Sequence, residues 1–214
     1  MTLLEPDVTL TDLGLAIECG AFATWLHQRY RAGTPLRLAF VVFFGSLALA
    51  ALFGGISHGF FSNHQSRLYV AVWNSGLIAL GTAAFASWAI GARLILSDRA
   101  AMRVTAFAGL LFAAHVVVIL FVSRSFAVAI VHYLPATIFL IGAFALAYRR
   151  RRDAFLLAGI AGLVLTVVAS GAQQVRIGLH PVYFNHNALY HLIQALALLL
   201  IFSAARGLLK PAHT

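Results

Sequence analysis

The sequence predicts an all-α membrane protein, a bundle of seven transmembrane helices that forms a single domain over residues 1–214. Three observations lead to this prediction: long apolar runs, few charges inside them, and a regular placement of arginines between them. Hydrophobic residues make up 62% of the chain and charged residues 10%, and the mean hydropathy is +0.92. A soluble domain of this length would show amphipathic periods instead of near-continuous apolar runs.

Seven apolar stretches can be drawn, each of about 20 residues, which is enough to cross the ~30 Å hydrocarbon layer of a bilayer. In chain order they cover Leu10–His27, Leu36–His58, Leu68–Arg93, Ala101–Val122, Phe126–Tyr148, Ala154–Ala172 and Asn187–Ala205. The loops between them are short, so consecutive helices are expected to pack as antiparallel neighbours.

The fifteen lysines and arginines are unevenly divided between the two ends of these helices. The first, third and fifth loops and the C-terminal tail hold twelve of them, and the other loops hold Arg67, Arg124 and Arg176. Cytoplasmic loops carry such an excess of cations, so the N-terminus is predicted outside and the C-terminus in the cytoplasm. The net charge of +9 therefore indicates contact with anionic membrane lipids and not nucleic-acid binding.

The first residues of the chain and its amino-acid composition bear on where in the cell the protein is located. Residues 1–12 contain three carboxylates and no cation, so no cleavable signal peptide is predicted. Cys19 is the single cysteine, which excludes an intrachain disulfide. Fourteen arginines against one lysine suggest a GC-rich bacterial genome, and hence a multi-pass protein of the bacterial inner membrane. The sequence does not indicate an oligomeric state.

With this topology, the polar side chains of the helices concentrate at one depth, near the outer ends. They are Asp12, Glu18, Ser57, His58, Asn74, His115, His132, His186, Asn187, His191 and Gln194. Ionisable groups are costly in lipid, so these are expected to face the bundle interior and to mark a site. For any one of them, a hydrogen bond between helices is the alternative.

The densest polar segment, NHNALYHLIQ at 185–194, opens the seventh helix. Asn187, His191 and Gln194 are spaced by four and three residues, so they share one helix face. Asn185 or His186 is placed to cap the free backbone N–H groups at the helix start.

A second polar segment, GGISHG at 54–59, ends the second helix at the same depth. Its glycines allow close backbone approach, and His58 projects from the helix end. His58, His186 and His191 are therefore expected to converge. Three imidazoles and a water molecule would form a zinc site with an open catalytic position.

These residues resemble the seven-helix superfamily of alkaline ceramidases and progestin/adipoQ receptors, in helix count, in a Ser/His pair ending helix two, and in a polar-x-x-x-His motif opening helix seven. In that superfamily one histidine of helix two and two of helix seven hold zinc, and the enzymes hydrolyse lipid amides. The resemblance implies His58 and His191 as ligands and Ser57 as the serine that acts near the zinc-bound water. Asn187 stands where a histidine is expected, so His186 is the candidate third ligand.

The superfamily's helix-three aspartate has no counterpart here, because helix three offers Asn74. Glu18 or Asp12 is therefore the candidate general base. The remaining polar side chains are expected to surround and support the site: Asn74, Asn187, Gln194, His115 and His132. The sequence also looks like a group of small bacterial seven-helix proteins with an Asn-His-Asn…Tyr-His-Leu-Ile-Gln motif, a resemblance that implies no function.

Together with the depth of the polar cluster, the resemblance implies a zinc-dependent membrane hydrolase that acts on a lipid amide or ester at the outer leaflet. Two other classes also fit. One is a small-solute or proton-coupled transporter with Glu18, His115 and His132 as a relay, although the inner halves offer no polar path. The other is a non-catalytic binding or sensory bundle.

The predicted topology is open to a direct test. Alkaline phosphatase fused to the C-terminus is expected to be inactive, and green fluorescent protein fused there is expected to fluoresce, because twelve of the fifteen lysines and arginines lie on that side. An active phosphatase fusion with a dark fluorescent one would contradict the orientation.

Overall fold

The computed structural model describes residues 3–30, 33–180 and 183–210, and these form seven α-helices. In chain order they are α1 Pro6–Arg29, α2 Pro35–Phe60, α3 Arg67–Ile95, α4 Asp98–Phe121, α5 Phe126–Arg151, α6 Ala154–Gln174 and α7 His186–Leu209. Six of them, α2 to α7, are long and apolar enough to cross a membrane. The prediction of an all-α, multi-pass membrane architecture is confirmed at this level. Arg31, one of the cations counted above, lies outside the described residues.

Each helix begins and ends within four residues of its predicted stretch. The helices extend past the apolar runs because polar residues at their ends still form helix and cap it. At the start of four helices, the side-chain oxygen of the capping residue accepts a hydrogen bond from a backbone N–H group. These capping residues are Ser66, Ser125, Asp153 and Asn185. The capping role predicted for Asn185 or His186 thus falls to Asn185, which accepts the N–H groups of Asn187 and Ala188.

Helix α1 is more polar than the other six helices. It has 24 residues, enough to cross a bilayer, but it carries Asp7, Asp12 and Glu18 along its length and Arg29 at its end. It packs against α2 on one side and α7 on the other. Its polar side chains therefore have protein surfaces to face.

Six helices form a closed ring, which we call the helix ring, in the order α1, α2, α3, α5, α6, α7 and back to α1. Helix α4 lies outside the ring and packs mainly against α3. Its buried residues, Ala101, Ala108, His115 and Ile119, form one narrow stripe, so most of its surface is left for lipid. Successive helices run in opposite directions. The start of α1, the end of α2 and the start of α7 therefore lie at the same end of the bundle, which we call the acidic end.

The opposite end, the arginine-rich end, is filled by aromatic and aliphatic side chains. Phe22 of α1, Phe44 of α2 and Phe202 of α7 contact one another, and we call these three rings the aromatic plug. The rings of Phe22 and Phe202 stack with centroids 4.1 Å apart, and Phe44 meets Phe22 edge-on at 5.4 Å. Aromatic pairs in these arrangements stabilise a core beyond their buried area.

Helices α6 and α7 approach each other closely at Gly162. A Cβ atom at this position would lie 2.5 Å from the backbone oxygen of Ala197 and 2.9 Å from the side chain of Ile201. Small residues allow such backbone contacts between membrane helices, and a backbone atom cannot move aside as a side chain can.

Gly162→Ala is therefore expected to force α6 and α7 apart and to lower the free energy of unfolding by about 1–3 kcal/mol. Thermal or denaturant unfolding of the purified protein measures this. Gly142→Ala is the matched control, because a Cβ at that glycine meets nothing within 4 Å. Equal stability of the two variants would show that the α6–α7 contact is not tight.

Candidate functional site

A cavity of about 270 Å³ lies inside the helix ring, and all six helices of the ring line it. Its polar wall is formed by Asp12, His58, Thr137, Thr166, Ser170, Gln173, Asn187, Tyr190, His191 and Gln194. The rest of the wall is mainly apolar and extends to Cys19, Leu47 and Leu198. The aromatic plug lies within one turn of these three residues along α1, α2 and α7, so the cavity is closed toward the arginine-rich end.

The central feature of the polar wall is an ion pair between the first and last helices. Oδ1 of Asp12 lies 3.2 Å from Nε2 of His191, and Nδ1 of the same imidazole lies 3.0 Å from Oγ1 of Thr11. The side chains of Asp12 and His191 are 7% and 11% exposed. Two successive residues of α1 thus hold the imidazole at both nitrogens, which fixes its orientation.

These contacts also locate a proton. The Thr11 hydroxyl lies 2.8 Å from the backbone oxygen of Asp7, its shortest contact, and a carbonyl can only accept. The hydroxyl proton therefore goes to Asp7, and Nδ1 of His191 donates to Oγ1 of Thr11. Nε2 then faces the Asp12 carboxyl group, and a hydrogen bond between them requires a second proton. The geometry assigns one shared proton to the Asp12–His191 pair.

Other carboxylates of the N-terminal segment extend this contact between helices. Oε1 of Glu5 lies 3.4 Å from Nδ1 of His58, at the end of α2. Oδ2 of Asp7 accepts the backbone N–H of Asn185, the residue that caps α7. The first turns of α1 therefore hold the ends of both neighbouring helices in place.

Glycines in α2 make room for Asp12. A Cβ on Gly54 would lie 3.0 Å from Oδ2 of Asp12, and a Cβ on Gly55 would lie 3.1 Å from the Asp12 Cβ. The two glycines allow α1 and α2 to approach at the level of the carboxyl group. The sequence prediction of close backbone approach at these glycines agrees with this contact.

Amide side chains complete the polar end. Nε2 of Gln194 donates to Oγ1 of Thr166 at 3.2 Å, whereas Oε1 of Gln194 is buried and has no hydrogen-bond partner among the described residues. Gln173 and Asn187 bond to each other across α6 and α7. The cavity therefore offers one buried hydrogen-bond acceptor that its own walls do not use.

Several predicted site residues lie outside this cavity. Ser57 and Asn74 are buried, and His186 begins α7, but none of the three lines the cavity. Glu18 follows Thr11 by seven residues, so it shares the α1 face that meets α7. Its Oε2 is buried without a hydrogen-bond partner in the described parts of the chain.

His115 and His132 form a separate pair, where α4 and α5 meet α3. Their rings stack with centroids 4.4 Å apart, and Nε2 of His115 donates to the backbone oxygen of Leu77 at 3.1 Å. A Cβ on Gly81 would lie 2.4 Å from the His115 ring, so this glycine makes room for it. The His115 hydrogen bond attaches the peripheral helix α4 to the helix ring.

Residues 8–210 match a family described as a family of unknown function, DUF6962. The chain belongs to the DUF6962 family. The match includes the whole site, from Thr11 and Asp12 to Gln194. No curated protein and no solved structure matches this DUF6962 chain. The family description states no activity, so the functional argument rests on the geometry of the site.

The donor set of the DUF6962 chain does not fit the predicted zinc site. Across residues 3–30, 33–180 and 183–210, no group of three or more His, Cys, Asp or Glu side chains is placed to hold a metal ion. Both nitrogens of His191 have hydrogen-bond partners, His58 pairs with Glu5, and His186 lies outside the cavity wall. We therefore derive no chemical step through zinc.

Sequence reasoning found Asp12, His58, Asn187, His191 and Gln194, all of which line the cavity. It missed a group of residues that pair with them or complete the wall: Glu5, Thr11, Thr166, Ser170 and Tyr190. The sequence analysis interprets Glu5 and Asp7 only as evidence against a signal peptide. No pattern in the sequence pairs α1 with α7, because that contact depends on closure of the ring.

Substitution at the ion pair tests its contribution to the fold. Asp12→Asn and His191→Gln are each expected to lower stability, and the double variant is expected to lose less than the sum, with a coupling free energy of about 0.5–3 kcal/mol. Unfolding of the parent, the two single variants and the double variant measures this. Asp98→Asn, at an exposed carboxylate, is the control. Additive losses would mean that the pair does not interact.

Proposed function

We propose that this protein is a membrane-embedded hydrolase that binds an amphipathic substrate in the central cavity and cleaves an amide or ester bond beside Asp12 and His191. One observation carries the proposal: a pair of groups sharing one proton lies in the wall of a cavity that is polar at one end and apolar along the rest. Convergent titratable groups in an otherwise apolar pocket are the usual mark of a catalytic site.

The shape and lining of the cavity favour a single-chain lipid amide as substrate. About 270 Å³ lies just below the usual range of ligand pockets, which suits one acyl chain better than a two-chain lipid. The unpartnered Oε1 of Gln194 needs a donor, and the N–H of an amide supplies one, whereas an ester has none. The aliphatic wall formed by Leu15, Leu47, Leu80 and Leu198 matches an acyl chain.

The chemistry follows from the position of the shared proton. Asp12 accepts a proton from a water molecule whose oxygen bonds to the carbonyl carbon, which gives a tetrahedral oxyanion. The positive charge of the protonated pair stabilises that oxyanion. The carbon–nitrogen bond then breaks, and the pair returns the proton to the leaving nitrogen, releasing a carboxylic acid and an amine. His191 acts as the positioning residue for Asp12.

The proposal includes the orientation of the protein. We take α1 as a seventh span, with the N-terminus outside and the site near the outer leaflet of a bacterial inner membrane. The placement of α1 in the helix ring supports this, as does the concentration of cations at the opposite end. A substrate entering from the outer leaflet would bring its polar group to the depth of Asp12.

The closed end of the cavity argues against transport. A transporter needs a path to both sides of the membrane, and beyond Cys19, Leu47 and Leu198 the core holds the aromatic plug and other buried apolar side chains. Binding without turnover is the outcome that would favour a sensory protein instead.

Hydrolysis is tested with purified protein and a fluorescent long-chain N-acyl amine, by measuring release of the fatty acid. Asp12→Asn is expected to reduce the rate by about 100-fold or more, because it removes the proton acceptor. His191→Gln is expected to reduce it as well, since Asp12 loses its positioning partner. Both variants should keep the helical content of the parent.

Asp98→Asn is the matched control, because Asp98 is an exposed carboxylate at the start of α4, outside the helix ring and the cavity wall, and its variant is expected to keep the activity. No turnover by the parent, together with saturable binding of the probe, would overturn the hydrolase and leave a binding protein. Loss of turnover on chelation and its return with zinc would favour the zinc-dependent mechanism that the family resemblance implies.

A further inference from the structure

A second concave surface lies at the arginine-rich end of the bundle, between the end of α1, the start of α2 and the end of α7. It encloses about 650 Å³, and we call it the basic groove. Its wall includes three cations, Arg29, Arg206 and Lys210, and two aromatic side chains, Trp25 and Tyr30. Among the described residues, the wall contains no aspartate or glutamate. The groove is thus separate from the central cavity in position and, unlike that cavity, is lined by three cations.

The cations of the basic groove lack acidic partners. Among residues 3–30, 33–180 and 183–210, the carboxyl groups within 4 Å of a basic side chain are those of Glu5, beside His58, and Asp12, beside His191, both at the acidic end. Arg29, Arg206 and Lys210 are all exposed, so a ligand can reach them. Three like charges in one groove repel one another unless an anion joins them.

The groove is fixed in shape before any ligand binds. The guanidinium of Arg206 lies 4.9 Å from the centroid of the Trp25 ring, and the Tyr30 hydroxyl donates to the backbone oxygen of Arg206 at 2.9 Å. Arg37 donates to the backbone oxygens of His27 and Tyr30 at the end of α1. Two backbone carbonyls at the end of α1 therefore already have a donor from within the chain.

We propose that the basic groove binds the phosphate headgroup of an anionic phospholipid. The Trp25 ring restricts the position of the Arg206 guanidinium, whose planar set of N–H donors matches phosphate oxygens. The neighbouring tryptophan and tyrosine are the residues that mark the membrane–water interface, which is the depth of a lipid phosphate. The aliphatic side chains of Leu208 and Leu209, also in the groove wall, suit the first part of an acyl chain.

Lipid retention measures this binding. The purified protein is equilibrated with phosphatidylglycerol or with phosphatidylcholine of the same acyl chains, and bound lipid is counted by native mass spectrometry. Phosphatidylglycerol is expected to be retained and to raise the thermal unfolding midpoint, and phosphatidylcholine is not. Arg29→Gln and Lys210→Gln are each expected to weaken retention by about fivefold, and Arg206→Gln by at least that much.

Arg149→Gln and Arg150→Gln are the matched controls, because they remove the same charge at the same end of the bundle but lie on α5, outside the groove. Equal losses in the control and groove variants would overturn the proposal in favour of a general attraction to anionic lipid. Equal retention by Arg206→Gln and the parent would also overturn it. If inorganic phosphate stabilises the protein as strongly as phosphatidylglycerol, the ligand is a soluble anion and not a lipid.

Discussion

The contact between α1 and α7 is the constraint on which the rest of the structure depends. The six helices of the ring pack one against the next through five contacts, and the meeting of the first and last helices closes them into a ring. At the acidic end the contact is polar, through Asp12 with His191 and Asp7 with Asn185. Near the other end it is aromatic, through Phe22 with Phe202. Without this closure the central cavity would be a cleft open to lipid.

The helix that closes the ring is also the one least suited to lipid. Helix α1 carries most of the acidic residues found inside helices, and it is the helix that hydropathy alone does not identify as a span. Its polarity is tolerable because α2 and α7 cover its two flanks, and each of its first carboxylates contacts one of them. The groups that assemble the site are therefore the groups that hold the ring together. A change at Asp12 is expected to affect stability and chemistry at once, which is why the hydrolysis assay needs a separate measure of folding.

The helices and the depth of the polar residues were predictable, but the partners of those residues were not. In lipid every backbone polar group must be satisfied within its own segment, so an apolar run of sufficient length can only be a helix. Depth then follows from position along the run. The neighbour that a side chain faces depends on how the helices are ordered in the ring. The lengths of the loops do not determine that order. His115 and His191 share a depth, yet α4 lies outside the ring, so His115 bonds to Leu77 and not to the site.

Charged side chains have different surroundings at the two ends of the bundle, and these surroundings determine whether they have a partner within the chain. At the acidic end the carboxylate of Asp12 lies inside the bundle, away from water, where an unpaired charge would be very costly, and it has a proton-sharing partner. At the arginine-rich end the cations of the basic groove lie at the surface, where counter-charge can come from outside the chain. A shared proton in a closed cavity is suited to chemistry, because it moves between fixed groups. Unpaired cations in an open groove are suited to binding, because the missing partner must come from outside the chain.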